Sequence, residues 1–250
     1  MPLEQQHPSS EAATGELTWA QRSALGMLRG VMDPADVGGR RNLYMHTVHT
    51  KALARELRRS APVKRALDFG CGTGRLLRTL ARSSAEVYGL DCEPAMVRAA
   101  WRYAQRYVTD IECWDEERTP FPASFFDFIL CSSVLSVTEP EFFDRSLREM
   151  ARMAQPKATL VLLDKVAPAS GLALQRYFTG LSSAGFEPLR AYALRPAQSW
   201  YTALVTKYQW IPPWTYGMFA ELELARAARR YHGENTGAYV QYAIVARRND

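Results

Sequence analysis

From residue 65 onward, apolar positions come in short continuous runs, separated by stretches with apolar residues at helical spacing. Residues 65–69 (RALDF) predict a buried strand, and residues 74–82 (GRLLRTLAR) a helix. Residues 86–90 (EVYGL) predict a second strand. A helix at 94–107 follows, with Pro94 in its first turn, where a missing N–H is tolerated. A third strand is expected near 108–113, a fourth at 125–133 (FFDFILCSS), a helix at 139–153 and a fifth, most hydrophobic strand at 158–166 (ATLVLLDKV). The tail at 238–248 (AYVQYAIVARR) alternates and reads as a strand returning to the sheet. Strands this short and apolar, alternating with helices, require parallel crossovers and a sheet covered on both faces.

Before this region, residues 16–31 carry apolar positions at helical spacing and predict an amphipathic helix. Pro34 and the Gly38-Gly39 pair mark a turn over 33–39. Asn42 is expected to cap a helix running to about residue 59, with Tyr44, Met45, Val48, Leu53 and Leu57 on its apolar side. The first 15 residues are polar and without periodicity, which predicts disorder. A Trp- and Tyr-rich stretch at 199–233 is too aromatic for a simple connector. His232, late in it, is expected to cap or solvate a helix end. The expected architecture is α/β: a Rossmann-like, seven-stranded, mostly parallel sheet with helices on both faces. A helical lid occupies 16–61 and the main domain 62–250, with 199–233 as a helical cap insertion.

At 250 residues and 47% hydrophobic, the chain can bury a sizeable core in one large domain. No run approaches the ~18–20 apolar residues of a membrane span. The N-terminal residues are acidic and polar where a secretory signal would be basic and then apolar, so a cytoplasmic protein is expected. Cys71, Cys92, Cys113 and Cys131 form no CxxC pair, which predicts reduced thiols and no metal site. The net charge of +5 is spread along the chain, a weak pattern for nucleic acid.

The most informative stretch is residues 66–74 (ALDFGCGTG), between a predicted strand and helix, where an open parallel sheet binds ligands. Gly70, Gly72 and Gly74 let the backbone turn sharply and approach a bound molecule. The spacing is GxGxG, not the GxGxxG of dinucleotide folds, and there is no GKT or GKS of a phosphate cradle. Asp68, two residues before the first glycine, suits a cationic ammonium and suits a pyrophosphate poorly. Asp91 ends the second strand about 20 residues on, where an acid accepts hydrogen bonds from both hydroxyls of a ribose. The alternative for Asp91 is a helix N-cap before Pro94.

These residues resemble the class I S-adenosylmethionine-dependent methyltransferases. The likeness spans roughly residues 62–165 and includes LDFGCGTG, YGLDCEPAMV, WDEERTPFPASFFDFIL and ATLVLLDKV. It implies S-adenosyl-L-methionine as cofactor. Asp68 and the backbone of Gly70, Cys71, Gly72 and Gly74 would hold its methionine end, and Asp91 its ribose, with Cys92 and Met96 lining the adenine. Asp115 would accept the adenine amino group, Trp114 would cover the ring or serve as a core aromatic, and Ser132 and Ser133 would lie beside the methionine moiety. Arg41, with Arg40 and Asn42, would reach the cofactor carboxylate or remain as surface charge. Many relatives carry a histidine after the fourth strand, but this chain reads CSSVLSVTEP, so no base transfers to that loop.

Methyl transfer from a sulfonium needs mainly positioning, worth ~7–11 kcal/mol. A base matters only for a protonated acceptor. His46 and His49, three apart on one helical face, and Tyr44 beside them are the candidate catalytic groups. The alternative for the histidines is a partly exposed helix pair. The implied function is methylation of a small-molecule acceptor at oxygen, nitrogen or carbon, and the aromatic insertion would line a pocket for an apolar or aromatic acceptor or pack the core of a helical cap. The alternatives are an RNA or tRNA methyltransferase and a cofactor-binding relative without methyl transfer.

Overall fold

The computed structural model describes residues 17–60, 62–115, 118–167, 173–230 and 239–250. The expectations for residues 1–16 and 231–233, including His232, lie outside the described residues. The elements in chain order are α1 (Trp19–Ser23), α2 (Arg40–Arg59), β1 (Val63–Phe69), α3 (Leu77–Leu80), β2 (Ser84–Asp91), α4 (Pro94–Ala104), β3 (Asp110–Cys113) and β4 (Phe126–Ser132). They continue with α5 (Pro140–Met153), β5 (Ala154–Val166), α6 (Leu174–Ser183), β6 (Phe186–Pro196), α7 (Trp200–Lys207), α8 (Tyr216–Arg230) and β7 (Val240–Arg248).

The seven strands form one sheet in the order β3-β2-β1-β4-β5-β7-β6. All pairs from β3 to β5 are parallel, and β7 runs antiparallel between β5 and β6. Alternate side chains of each strand serve opposite faces. Leu160 and Leu162 join a core under α5 and α6 with Phe143, Leu147 and Tyr177. Val161 and Leu163 join the other core, with Tyr44, Leu53, Leu77, Ala100 and Leu224 under α2, α3, α4 and α8. Each fully buried leucine of this kind stabilises the fold by about 1.5–3 kcal/mol.

β1 pairs with β2 on one side and β4 on the other, so the chain leaves it in one direction first and returns to its opposite flank later. The crevice at the C-terminal ends of β1 and β4 is therefore the switch point of the sheet, where ligands of such folds bind.

Two local expectations are corrected, and one strand is added. The helix expected over 16–31 survives only as α1, and the chain then runs in turns to Gly39. Gly26 sits at φ +96°, and the Arg22 guanidinium donates to the carbonyls of Gly30 and Met32, folding the segment back on itself. Asn42 does not cap α2. Gly39, in the left-handed region, stands at the cap, while the buried Asn42 side chain exchanges hydrogen bonds with the backbone of Asp33. Strand β6, which no periodicity marked, contains Pro188 and two register shifts that break its alternation.

Candidate active site

A cavity of about 480 Å³ opens at the switch point, within the ~300–1,000 Å³ typical of small-molecule sites. Its floor is the β1–α3 turn. Gly70 and Gly72 adopt φ +71° and +53°, and a Cβ on either would run into the side chain of Val134 or Val31 respectively. The turn is fixed from β2: the N–H groups of Gly70 and Cys71 donate to the Leu90 carbonyl, at 2.8 and 2.9 Å. Asp91 completes the tie, its Oδ2 accepting from Gly72 N–H at 2.7 Å and its Oδ1 from Glu93 N–H at 3.0 Å. The helix cap before Pro94 is Glu93, whose carboxylate accepts from Ala95 N–H. Asp91 is thus left to the loop and the cavity.

Of the residues singled out in sequence for the cofactor, Asp68, Gly70, Cys71, Gly72, Asp91, Cys92, Met96, Trp114, Ser132 and Ser133 line the cavity. The others do not. Gly74, at φ +79°, packs against Leu77 and Ala100. Asp115 is exposed and accepts from the backbone N–H of Arg118 at 3.4 Å. Arg41 is turned to an ion pair with Asp33 at 3.1 Å.

Burial raises the pKa of Asp68 to about 7, with the neighbouring Arg75 guanidinium opposing the rise and Asp91 adding to it. Burial likewise raises Asp91 to about 6, partly offset by the backbone N–H groups of Glu93 and Gly72. Arg75 itself is lowered to about 10 by burial and stays cationic at neutral pH.

Arg75 also decides the fate of the candidate bases. Its Nη2 donates to Ser132 Oγ at 2.9 Å and lies 3.1 Å from His49 Nδ1. A guanidinium only donates, so His49 Nδ1 carries the lone pair, and Nε2–H donates to Gln241 Oε1 at 3.2 Å. Both ring nitrogens of the fully buried His49 are therefore engaged, behind the cavity wall. Burial and the Arg75 charge hold its pKa well below the usual value and lower His46 to about 4. Tyr44 donates from its hydroxyl to Glu223 at 2.6 Å, inside the packing of α2 against α8. None of Tyr44, His46 and His49 lines the cavity.

Sequence reading missed several cavity residues. Trp19 and Val31 reach it because the turns before α2 fold over the glycine loop, held by Thr73 Oγ1 donating to the Met27 carbonyl at 2.6 Å. Val137, Glu141, Phe142 and Arg145 come from the segment after β4. That segment carried a usable signal, because chain following a central strand lies at the switch point. The aromatic insertion, in contrast, contributes no lining residue among the described ones. Its buried Tyr216 packs edge-on to Tyr44, at 5.8 Å between centroids, on the α2 face of the sheet.

The wall offers unmet hydrogen-bonding capacity as well as space. Trp114 is buried against Phe69 and Phe142, yet its indole Nε1–H has no acceptor, and Arg75 Nη1 has none either. A buried carboxylate at Asp68, a second at Asp91, a glycine cradle and two unpaired donors fit a zwitterionic nucleoside such as S-adenosylmethionine.

Comparison with known proteins agrees. Residues 67–162 match the family described as "Methyltransferase domain". A malonyl-[acyl-carrier protein] O-methyltransferase of Halorhodospira halophila is 34% identical over 118 residues, covering 43% of this chain and 38% of the relative. A demethylmenaquinone methyltransferase of Tropheryma whipplei is 30% identical over 122 residues, covering 48% and 50%. The chain thus spans half or less of the length of these curated relatives. Among solved structures, the [4+2]-cyclase SpnF superposes with a TM-score of 0.58 at 24% identity, over 81% of each chain. The geranyl diphosphate C-methyltransferase of Streptomyces coelicolor superposes with 0.60 at 13% identity, over 94% of each. The sheet order, the glycine loop with its two acids and the family match converge on a methyltransferase domain over residues 67–162, similar to the class I S-adenosylmethionine-dependent methyltransferases.

Proposed function

We propose that the chain is an S-adenosylmethionine-dependent methyltransferase acting on a small, largely apolar acceptor. The observation that carries this reading is the switch-point cavity, in which the buried Asp68, the Gly70–Gly72 cradle and Asp91 face one space. Asp68 would hold the ammonium of the cofactor, Asp91 the ribose hydroxyls, and the buried Trp114 the base. S-adenosylmethionine, when bound, supplies a methyl carbon already activated by a cationic sulfur. The chain's part is then to hold the acceptor in line and exclude water. Val31, Val134, Val137 and Phe142 give that part of the cavity an apolar wall. The acceptor class is supported by relatives whose names give small-molecule or carrier-bound substrates, the menaquinone precursor among them.

Among the described residues no histidine lines the cavity, and Glu139 and Glu141 are the carboxylates on its α5 side. This favours an acceptor that is nucleophilic without strong base assistance. It also supports a second reading, in which the cofactor is bound but another reaction is promoted.

Calorimetric titration with S-adenosylmethionine tests the first step, and release of S-adenosylhomocysteine in the presence of candidate acceptors tests the second. Binding with homocysteine-nucleoside release supports methyl transfer. Binding without release across a broad acceptor panel favours the second reading, and a folded protein that does not bind overturns both. Asp91→Ala should weaken binding by at least about tenfold, through loss of the ribose acceptor and of the Gly72 tie.

A further inference from the structure

The segment between β6 and β7 carries a surface unlike the rest of the molecule. Among the described residues, large apolar side chains at the surface concentrate here: Trp200, Tyr208, Trp210, Trp214, Met218 and Leu222. The three tryptophans are 67, 79 and 83% exposed. Isolated exposed apolar residues are ordinary, but a run of them marks an interaction surface.

Neither the cavity nor the core accounts for this run. None of the six lines the cavity. The core-facing sides of α7 and α8 are supplied by other residues, Val205 on α7 and Ala220, Leu224 and Ala227 on α8. Met218, Leu222, Ala225 and Arg229 instead repeat at helical spacing along the outer side of α8, and all four are exposed.

Charge selects the partner. Between residues 200 and 229 the chain has two carboxylates, Glu221 and Glu223. Glu223 is buried and takes the Tyr44 hydroxyl, and Glu221 is ion-paired with Lys51 and Arg55. Among the described residues of 200–229, the exposed charges are Lys207, Arg226 and Arg229, all cationic. Amphipathic aromatic rings, an aliphatic helix stripe and cations without an unpaired acid form the composition that settles at the boundary between headgroups and acyl chains. Nucleic acid would call for a denser set of phosphate-binding cations, and Met218 and Leu222 offer it nothing.

We infer that the α7–α8 surface is a peripheral docking site for an anionic lipid bilayer. Trp200, Trp210 and Trp214 insert at headgroup level, and Lys207, Arg226 and Arg229 meet the anionic lipids. This does not depend on the methyl-transfer reading, since it rests on a surface away from the cavity.

The test is co-sedimentation of the full chain with vesicles of mixed phosphatidylglycerol and phosphatidylcholine, against vesicles of phosphatidylcholine alone. The expected result is binding to the anionic vesicles, a blue shift of tryptophan emission and weakening by added salt. The variant W200S/W210S/W214S should lose partitioning by at least about tenfold, while its Tm and its S-adenosylmethionine titration stay unchanged. Failure to sediment with anionic vesicles, or undiminished sedimentation of the triple variant, would falsify the inference. So would sedimentation-velocity evidence of a dimer that the triple substitution dissociates, since a second copy would then cover the face. Tight binding of single-stranded RNA lost in the same variant, without vesicle binding, would also overturn it.

Discussion

Asp68 and His46 titrate in opposite senses, and each yields a pH dependence with a definite sign. Burial lifts Asp68 to about 7, so the unliganded protein holds a proton there through the mildly acidic range. A ligand that presents an ammonium group needs the carboxylate, and binding must then expel that proton. Affinity for S-adenosylmethionine should be level above about pH 8 and fall by up to roughly tenfold per pH unit below about pH 7. Asp68→Asn should bind more weakly at the upper end and show a flat profile, which calorimetry over this range would read. His46 is held at about 4, from 6.5, by burial and by the Arg75 charge. The unfolded chain takes up a proton as pH falls through 6.5 while the folded chain refuses it until about 4. The contribution to stability is whole above 6.5 and is lost toward 4, by about 1–3 kcal/mol. Urea unfolding of His46→Gln should lack this part of the acid slope; a slope equal to that of the parent chain would contradict the assignment.

Among the elements, the α7–α8 connection has an identifiable fastening. Arg40, at the first turn of α2, donates from Nε to the Val205 carbonyl at 2.9 Å and from Nη2 to those of Tyr208 and Ile211 at 3.3 and 2.5 Å. It thereby satisfies carbonyls at the C-terminal end of α7, where a cation also complements the helix dipole. Arg40→Met should cost about 2 kcal/mol and lower Tm by roughly 4–8 °C, measured by calorimetry, with little change in cofactor affinity. For Arg40 the sequence leaves cofactor ligand and surface charge both open, and the reason is general. Helical spacing tells which face a side chain shares but not what lies across from it. The same holds for His46 and His49, whose spacing was visible while Arg75 and Gln241 opposite them were not. Strands β1 to β5 and the proline-started helices were legible because their signals are local: buried apolar runs and Pro94 or Pro140 in the first turn. The fold-back of residues 24–39 depends on tertiary partners, Thr73 on Met27 and Val31 over Gly72. Strand β6 was hidden by its bulges and by Pro188 at an edge where a missing N–H is tolerated.

For the molecule as a whole, the switch-point cavity predicts coupling between ligand and global stability. Its walls come from α1, the glycine turn, the ends of β2 and β4, and α5, so a bound molecule bridges much of the chain. Saturation with S-adenosylmethionine at about 100 times its dissociation constant should add roughly 2.7 kcal/mol. Thermal scans should then show Tm higher by roughly 5–11 °C, and NADH should give no rise. Most of this site was readable from residues 66–74 and Asp91, because loop conformation and ligand contact fall in one short stretch. The remaining wall was not, since Trp19, Val31 and Phe142 enter by long-range packing. The aromatic content of the α7–α8 segment fits an acceptor pocket or the core of a helical cap, and composition alone does not say whether those rings point inward or out.

Strand β7 has a consequence for how the protein is made. It lies between β5 and β6, pairs with both, and comes from residues 240–248. β6 has no other neighbour in the sheet, so until β7 leaves the ribosome two hydrogen-bonding edges stand open on an otherwise formed domain. The sheet is therefore sealed only once residues 240–248 have emerged. A message cut short before codon 240 would release a chain with a cofactor crevice and a sticky flank, a natural client for chaperones and proteolysis rather than a shorter working protein.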